Sequence, residues 1–63
     1  MLSPPLVSII MNCHNSDRFL RAAIDSVYNQ SYLNWEIIFW DNFSTDNSAS
    51  IAQSYDNRIK YFL

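Results

Sequence analysis

Two short polar segments, residues 12–15 and 41–44, contain side chains that could contact a ligand, and each segment follows an apolar run. Four of these side chains could together bind a nucleoside: Asn12, His14, Asp41 and Asn42. Asparagine amides can read the edge of a base, and a histidine ring can stack on a base or hydrogen-bond to it. An aspartate accepts hydrogen bonds only, which suits a ribose hydroxyl or a ring N–H. The two segments are therefore a candidate nucleoside site.

Each of these residues also has a purely structural explanation. Asp41 and Asn42 could simply end a strand and cap the following helix, because Asp and Asn are favoured in turns and caps. His14 could be structural or solvated, and Cys13 could be a small buried hydrophobe, as free cysteines usually are. The residues alone leave these alternatives open.

The apolar pattern predicts five elements that position the two segments. A β-branched run predicts a first strand over residues 6–11, and a second run predicts a strand over residues 35–40 that is buried on both faces. Ser16 or Asp17 is the predicted cap of a first helix. The apolar stripe of that helix consists of Leu20, Ala23, Ile24, Val27 and Tyr28. A second helix is predicted to begin after a cap at Ser44 or Thr45, with Asp46 near the positive end of its dipole. A third strand is predicted over residues 59–63.

The predicted element order, β-α-β-α-β, indicates an α/β fold with a parallel sheet, because right-handed crossovers join adjacent parallel strands. We expect three layers and the strand order 3-2-1. Ligands of open α/β sheets bind outside the carboxyl ends of the strands. Residues 12–15 and 41–44 are therefore expected to lie side by side at one edge of the sheet.

The outer edge of the first strand is predicted to be long and apolar, which natural proteins avoid. We therefore expect residues 1–63 to be a single partial domain, with a further strand beside the first one. Self-association through that edge is the other way to cover it. The predicted lead-in to the strand is extended, because Pro4-Pro5 precedes it.

The composition excludes several functions. Six acidic and four basic residues give a net charge of -2. The basic residues are not clustered: they are Arg18, Arg21, Arg58 and Lys60. A nucleic-acid partner is not expected, because binding to its backbone needs clustered basic residues. The chain has no glycine, which excludes the Walker loop and the dinucleotide fingerprint. Side chains must therefore hold the base and sugar of any bound nucleotide.

Cysteine content and apolar runs bear on location. Cys13 is the only cysteine, which excludes an internal disulfide and a cysteine-based metal cage. No apolar run approaches the ~20 residues that span a bilayer. Residues 1–5 lack the basic region and apolar core of a signal peptide. The predicted location is the cytoplasm.

Three segments of the sequence, residues 5–15, 19–32 and 35–46, resemble the N-terminus of family 2 glycosyltransferases with the GT-A fold, which is Rossmann-like. The resemblance combines the first strand with Ser26-Val27-Tyr28-Asn29-Gln30-Ser31 at the end of a helix and Asp41-Asn42-Phe43-Ser44-Thr45-Asp46 in a turn, and it is specific only when the three parts are taken together. The resemblance implies an enzyme that transfers a sugar from a nucleotide-sugar donor, usually a UDP-sugar, to a carbohydrate or lipid-linked acceptor. The corresponding process is cell-surface polysaccharide biosynthesis.

The resemblance also implies roles for individual residues. In the family, residues after the first strand and an acidic pair after the second contact uracil and ribose. By position these roles fall on Asn12, His14, Asp41 and Asn42. The sequence departs from the family pattern at three places. Asn12 and His14 stand where the family often has Thr and Tyr, Asn42 replaces the second acid, and Phe43 stands where glycine is common.

The family binds Mg²⁺ or Mn²⁺ through an Asp-x-Asp motif after a later strand, and its catalytic base lies further on. The chain contains no Asp-x-Asp. The resemblance therefore implies a metal site and catalytic residues outside residues 1–63, and a segment that is inactive by itself. It also allows attachment to the inner face of a membrane. The competing hypothesis is a non-catalytic α/β module for binding or assembly.

Overall fold

A computed structural model describes residues 5–63, which form five elements. In chain order these are β1 (Val7–Cys13), α1 (Asp17–Tyr28), β2 (Trp35–Asp41), α2 (Ser48–Gln53) and β3 (Ile59–Phe62). The predicted β-α-β-α-β order is confirmed. Pro4, half of the predicted lead-in, lies outside the described residues.

The three strands form one parallel sheet in which β2 lies between β1 and β3. This is the adjacency that the sequence predicted. The pairing of β1 with β2 runs from Val7 opposite Trp35 to Cys13 opposite Asp41. Both strands continue further than predicted, to Cys13 and Asp41. Their carboxyl ends therefore meet at the same edge of the sheet.

One face of the sheet is covered by both helices. Eight buried side chains form the core: Cys13, Leu20, Ile24, Trp35, Ile37, Phe39, Ala52 and Ile59. Both helices contribute to this cluster, because two consecutive right-handed crossovers in the same direction place their helices on the same face. Among the described residues the molecule therefore has two layers, and the prediction of three layers is wrong.

The opposite face of the sheet has no cover among residues 5–63. We call it the open face, and it carries Ile10, Ile38, Trp40, Lys60 and Phe62. Trp40 is 45% exposed, and its ring stacks on Phe62 with the centroids 4.9 Å apart. The prediction that the second strand is buried on both faces is therefore wrong for the described part of the chain. Alternate residues of β2 are buried instead, as in a strand covered on one side.

The helix starts differ in part from the predictions. Helix α1 begins at Asp17 after Ser16, as predicted, but the Ser16 hydroxyl donates to the His14 carbonyl and caps nothing. Helix α2 begins only at Ser48, so the predicted caps at Ser44 and Thr45 are wrong. Asp46 does lie at the start of α2, where its Oδ1 accepts a 2.9 Å hydrogen bond from the Ser48 N–H.

An aromatic cluster closes the amino end of the sheet. Tyr28 packs edge-on against the buried Trp35 at 4.7 Å between centroids. The Arg58 guanidinium lies 4.5 Å from the Trp35 ring centroid, a cation–π contact. The Trp35 indole N–H has no hydrogen-bond partner among the described residues. This cluster anchors α1 to the sheet at the end remote from residues 12–15 and 41–44.

Candidate functional site

The candidate site lies where β1 and β2 end, and two loops form it. We call residues 14–16 the first loop and residues 42–47 the second loop. The Asn42 N–H donates a 2.7 Å hydrogen bond to the Cys13 carbonyl, which continues the strand pairing into the loops. Nδ1 of His14 lies 2.6 Å from the Asn42 carbonyl oxygen. Because a carbonyl only accepts, Nδ1 carries the hydrogen, and Nε2 of the neutral ring is an acceptor.

Asp41 lies beneath the second loop and is 3% exposed. Its Oδ1 accepts a 3.0 Å hydrogen bond from the Ser44 N–H, and its Oδ2 accepts a 2.6 Å bond from the Tyr61 hydroxyl. Hydrogen bonding by Ser44 and then by Tyr61 lowers the pKa of the Asp41 carboxyl. The same bond to Asp41, followed by burial, raises the pKa of Tyr61 to about 12. A buried carboxylate is stable only when it is hydrogen-bonded in this way. Asp41 therefore holds the loop in place from below.

Side chains of each loop bind the backbone of the other. The Asn15 N–H donates to Ser44 Oγ at 2.9 Å, and the Thr45 N–H donates to Asn15 Oδ1 at 2.7 Å. The Ser16 N–H donates at 3.1 Å to Oγ of Ser48, which is fully buried. These bonds join residues about thirty positions apart, so they fix the first loop against the second loop and against the start of α2.

Two carboxylates link the starts of the helices. Asp46 Oδ2 accepts from the Asp17 N–H at 3.1 Å, and Asp17 Oδ2 accepts from the Asn47 N–H at 3.3 Å. Burial alone would raise the pKa of Asp46, but hydrogen bonds from Ser48 and Asp17 hold it below its ordinary value. The two loops and the first turns of both helices thus form one hydrogen-bonded unit.

The structure brings two of the four predicted site residues into contact. His14 and Asn42 are exposed and joined by the 2.6 Å bond. Asp41 is adjacent but buried, with both oxygens bonded within the chain. Asn12 is exposed on the open face, because it lies in register with Trp40, and neighbouring residues of a strand point to opposite faces. The side chains of Asn12 and Asp41 are therefore on opposite sides of the sheet.

Sequence reasoning missed the residues that hold the site together. These are Asn15, Ser44, Asp46, Ser48 and Tyr61. The alternation of residues between the two faces of β3 could have identified Tyr61. Tyr61 lies two residues after the buried Ile59 and therefore on the same face of the sheet as Asp41. No comparable signal pairs Asn15 with Ser44 and Thr45, because their contacts depend on how two loops meet in space.

A metal centre is not found within the described residues. No group of three or more His, Cys, Asp or Glu side chains in residues 5–63 could hold a metal ion. Neither helix in that part of the chain has the length and apolar character needed to cross a membrane.

Comparison with known proteins decides the family. The sequence profile of glycosyl transferase family 2 matches residues 8–63. The chain belongs to glycosyl transferase family 2. This confirms the resemblance seen in the sequence. The first and second loops therefore follow the first two strands of a segment that this chain shares with an enzyme family.

Several bacterial proteins that are named as glycosyltransferases are similar to this chain. "Putative glycosyltransferase EpsE" of Bacillus subtilis is 47% identical over 64 residues, covering 95% of this chain and 23% of that protein. The Escherichia coli protein named UDP-Glc:alpha-D-GlcNAc-diphosphoundecaprenol beta-1,3-glucosyltransferase WfgD is 43% identical over 56 residues, or 87% of this chain and 22% of that protein. The Campylobacter jejuni GalNAc(5)-diNAcBac-PP-undecaprenol beta-1,3-glucosyltransferase is 40% identical, with 94% of this chain and 20% of that protein covered. The chain spans about a fifth of the length of these three relatives.

Proposed function

We propose that this chain is the N-terminal, nucleoside-binding part of a glycosyltransferase that moves a sugar from a UDP-sugar to a carbohydrate or lipid-linked acceptor. Membership of glycosyl transferase family 2 supports the reaction class. The names of two relatives support the donor and acceptor, since one includes UDP-Glc and both include an undecaprenol-linked acceptor. We extend the proposal to cell-surface polysaccharide biosynthesis on the same grounds.

The observation that carries the proposal is the 2.6 Å contact between His14 Nδ1 and the Asn42 carbonyl. It joins the loops after two adjacent parallel strands, at the edge where ligands of α/β sheets bind. It also orients the imidazole ring and leaves both the His14 ring and the Asn42 amide exposed. An oriented ring beside a side-chain amide is suited to stack on a pyrimidine base and to read its edge.

The four candidate residues then have different roles. His14 and Asn42 contact the base, and Asn12 reaches the nucleoside from the side of the open face. We assign Asp41 a positioning role, because the Ser44 N–H and the Tyr61 hydroxyl occupy its two oxygens. The nucleoside therefore binds to side chains that the buried carboxylate holds in place.

We further propose that the three-stranded sheet is the start of a GT-A, Rossmann-like domain, whose Mg²⁺ or Mn²⁺ site and catalytic base lie outside residues 1–63. The donor sets of the described residues do not fit a metal, so no catalytic step is assigned to them. The chain alone should not transfer sugar. Transfer or donor hydrolysis above the blank, on incubation with UDP-glucose and Mn²⁺, would contradict this. The cytoplasmic location stays a prediction.

Titration of the isotopically labelled chain with UMP, followed by amide chemical shifts, tests nucleoside binding. We expect shifts at His14 and Asn42, and smaller shifts with AMP. Asn42→Ala removes the side-chain amide but keeps the carbonyl that orients His14, so it should weaken UMP binding about tenfold, the value of one good hydrogen bond. Ser50→Ala, on the exposed side of α2, is the matched control. Identical shifts with UMP and AMP, or none with either, would overturn the proposal.

One observation favours the alternative of a non-catalytic assembly module. The open face carries the stacked pair Trp40 and Phe62, and the outer edge of β1 has no strand beside it among the described residues. Exposed apolar faces and strand edges promote association. The alternative predicts concentration-dependent oligomers in sedimentation experiments, their loss in Ile10→Lys, and no response to UMP. The proposed function predicts the response to UMP in both chains.

A further inference from the structure

The backbone of Phe43 has a conformation that its side chain does not favour. Its φ is 53°, and only one other non-glycine residue in the described chain, Asn15 at 48°, has a positive φ. Such a conformation brings Cβ close to the following carbonyl, and asparagine tolerates it better than most residues. Asn15 also gains a hydrogen bond there, from the Thr45 N–H to its side chain. Phenylalanine has no polar group that could gain one.

The contacts of the neighbouring residues impose this conformation. Before Phe43, the Asn42 N–H is bound to Cys13 and the Asn42 carbonyl to His14. After it, the Ser44 N–H is bound to the buried Asp41 carboxylate. Residue 43 is thus fixed from both sides, and a glycine would meet this constraint without strain.

The phenyl ring does not contribute to the core. Phe43 is 73% exposed, the highest value among the exposed large apolar side chains of the described residues. It is not part of the hydrophobic core cluster, and the ring contacts of residues 5–63 do not include it. The positive φ of Phe43 costs stability, and no packing of its ring in the core of the described residues compensates for that cost. Strain of this kind is found at functional sites.

The position of the ring indicates its role. The peptide that links Asn42 to Phe43 contains the carbonyl bound by His14. The phenyl ring therefore belongs to the residue next to the one that orients the imidazole, at the same edge of the sheet. An exposed aromatic ring at this edge can hold a planar ring by stacking.

We propose that Phe43 is a further nucleoside-binding residue, whose ring packs against the base of the bound nucleoside, beside His14. This inference rests on the proposed function, because it assigns a further contact in the same site. A phenyl face recognises any planar base, so Phe43 supplies affinity for the base. The edge-reading amide of Asn42 distinguishes one base from another.

Replacement of Phe43 by Gly tests the effect of this residue on stability separately from its effect on nucleoside binding. Gly relieves the backbone strain and removes the ring, so we expect UMP binding to weaken about tenfold while the melting temperature does not fall. Phe43→Tyr keeps the ring and should bind UMP like the unchanged chain. Leu33→Ala, which truncates a side chain that is 67% exposed at the amino end of the sheet, should leave UMP binding unchanged. Nuclear Overhauser contacts between the Phe43 ring and the protons of the base give a direct readout.

The outcomes distinguish this inference from the function on which it rests. An unchanged chain that does not bind UMP would overturn both. A chain that binds UMP, together with a Phe43→Gly variant that binds it equally well, would overturn the inference alone. A drop of about 5 °C or more in the melting temperature of Phe43→Gly would also overturn it, because for a domain of this size such a drop means that the ring stabilises the fold.

Discussion

Oδ2 of Asp41 accepts a 2.6 Å hydrogen bond from the hydroxyl of Tyr61. This bond joins the end of the central strand to the outer strand β3, directly below the loop that carries Asn42. Bonds to a charged group are worth about 1.5–3 kcal/mol, so the pair connects the stability of the sheet to the geometry of the candidate site.

Tyr61→Phe should destabilise the chain by about 2 kcal/mol, because it leaves one oxygen of a buried carboxylate without its donor. Asp41→Asn should cost a similar amount, and the double variant should cost less than the sum of the two, since residues in contact are coupled. Urea unfolding followed by tryptophan fluorescence measures all three. Tyr32→Phe, whose hydroxyl donates to the Pro5 carbonyl instead of a carboxylate, should lose about 1 kcal/mol or less. Equal losses for the two Tyr→Phe variants would contradict this assignment.

Stability should depend on pH through the same pair. The pKa of Tyr61 is raised from 10.0 to about 12 in the folded chain, so its stabilising effect is complete below pH 10 and is lost as the pH rises towards 12. Tyr28, whose pKa is also about 12 because of burial and its bond to Asp56, acts in the same range. The lowered pKa of Asp41 gives a pH dependence of stability in the opposite direction. Its stabilising effect is present above pH 3.8 and is lost as the pH falls through the lower folded pKa.

We therefore expect a plateau of unfolding free energy between about pH 4 and pH 10, with a decline on either side. Tyr28→Phe and Tyr61→Phe should each reduce the alkaline decline, and the double variant should reduce it further. Denaturant unfolding at a series of pH values gives the profile. An unchanged alkaline decline in the double variant would show that other groups cause it.

Asn15 contributes to the loop contact in two ways: its side chain accepts a hydrogen bond from the Thr45 N–H, and its backbone adopts a positive φ. Substitutions of Asn15 separate these two contributions. Asn15→Gly loses the side-chain acceptor for the Thr45 N–H but accepts the positive φ, and should cost about 1 kcal/mol. Asn15→Ala loses the same bond and adds strain, so it should cost about 1 kcal/mol more. Asn15→Asp keeps the oxygen and is the conservative control. If the Gly and Ala variants are equally stable, the positive φ is not maintained in solution.

Ser48 provides a test of the contact between the first loop and α2. Ser48→Ala leaves the Ser16 N–H without the buried hydroxyl that accepts from it, and should cost about 1–3 kcal/mol. Ser50→Ala, an exposed change in the same helix, should stay within about 0.5 kcal/mol of the unchanged chain. Thermal unfolding measures both variants. A Ser48→Ala variant as stable as Ser50→Ala would mean that water replaces the lost hydroxyl.

Much of the fold could be predicted because it depends on local patterns. The β-branched run before Asn12 and the apolar run from Trp35 to Trp40 identify strands, and the spacing from Leu20 to Tyr28 identifies the first helix. The number of layers could not be predicted. An apolar run indicates that both faces of a strand carry apolar side chains. It does not indicate whether other parts of the described chain cover both of those faces.

The candidate site was predicted in part. Strand ends could be placed side by side, which correctly brought His14 near Asn42. The first strand was predicted to end two residues before its observed end. The prediction therefore did not show that the side chains of Asn12 and Asp41 point to opposite faces of the sheet. Ser44 and Thr45 resemble helix caps by residue type, but they bind Asn15 instead, since a contact between distant loops replaced the local one.

The carboxylates of Asp17 and Asp46 accept backbone hydrogen bonds at the starts of the two helices. Their negative charge affects which ligands can bind at this edge of the sheet. Helix N-termini usually attract phosphate, but here two carboxylates accept hydrogen bonds from three amide groups at the starts of the helices, those of Asp17, Asn47 and Ser48. A phosphate group would meet like charge there. Under the proposed function, uridine should therefore bind about as tightly as UMP, with little sensitivity to ionic strength.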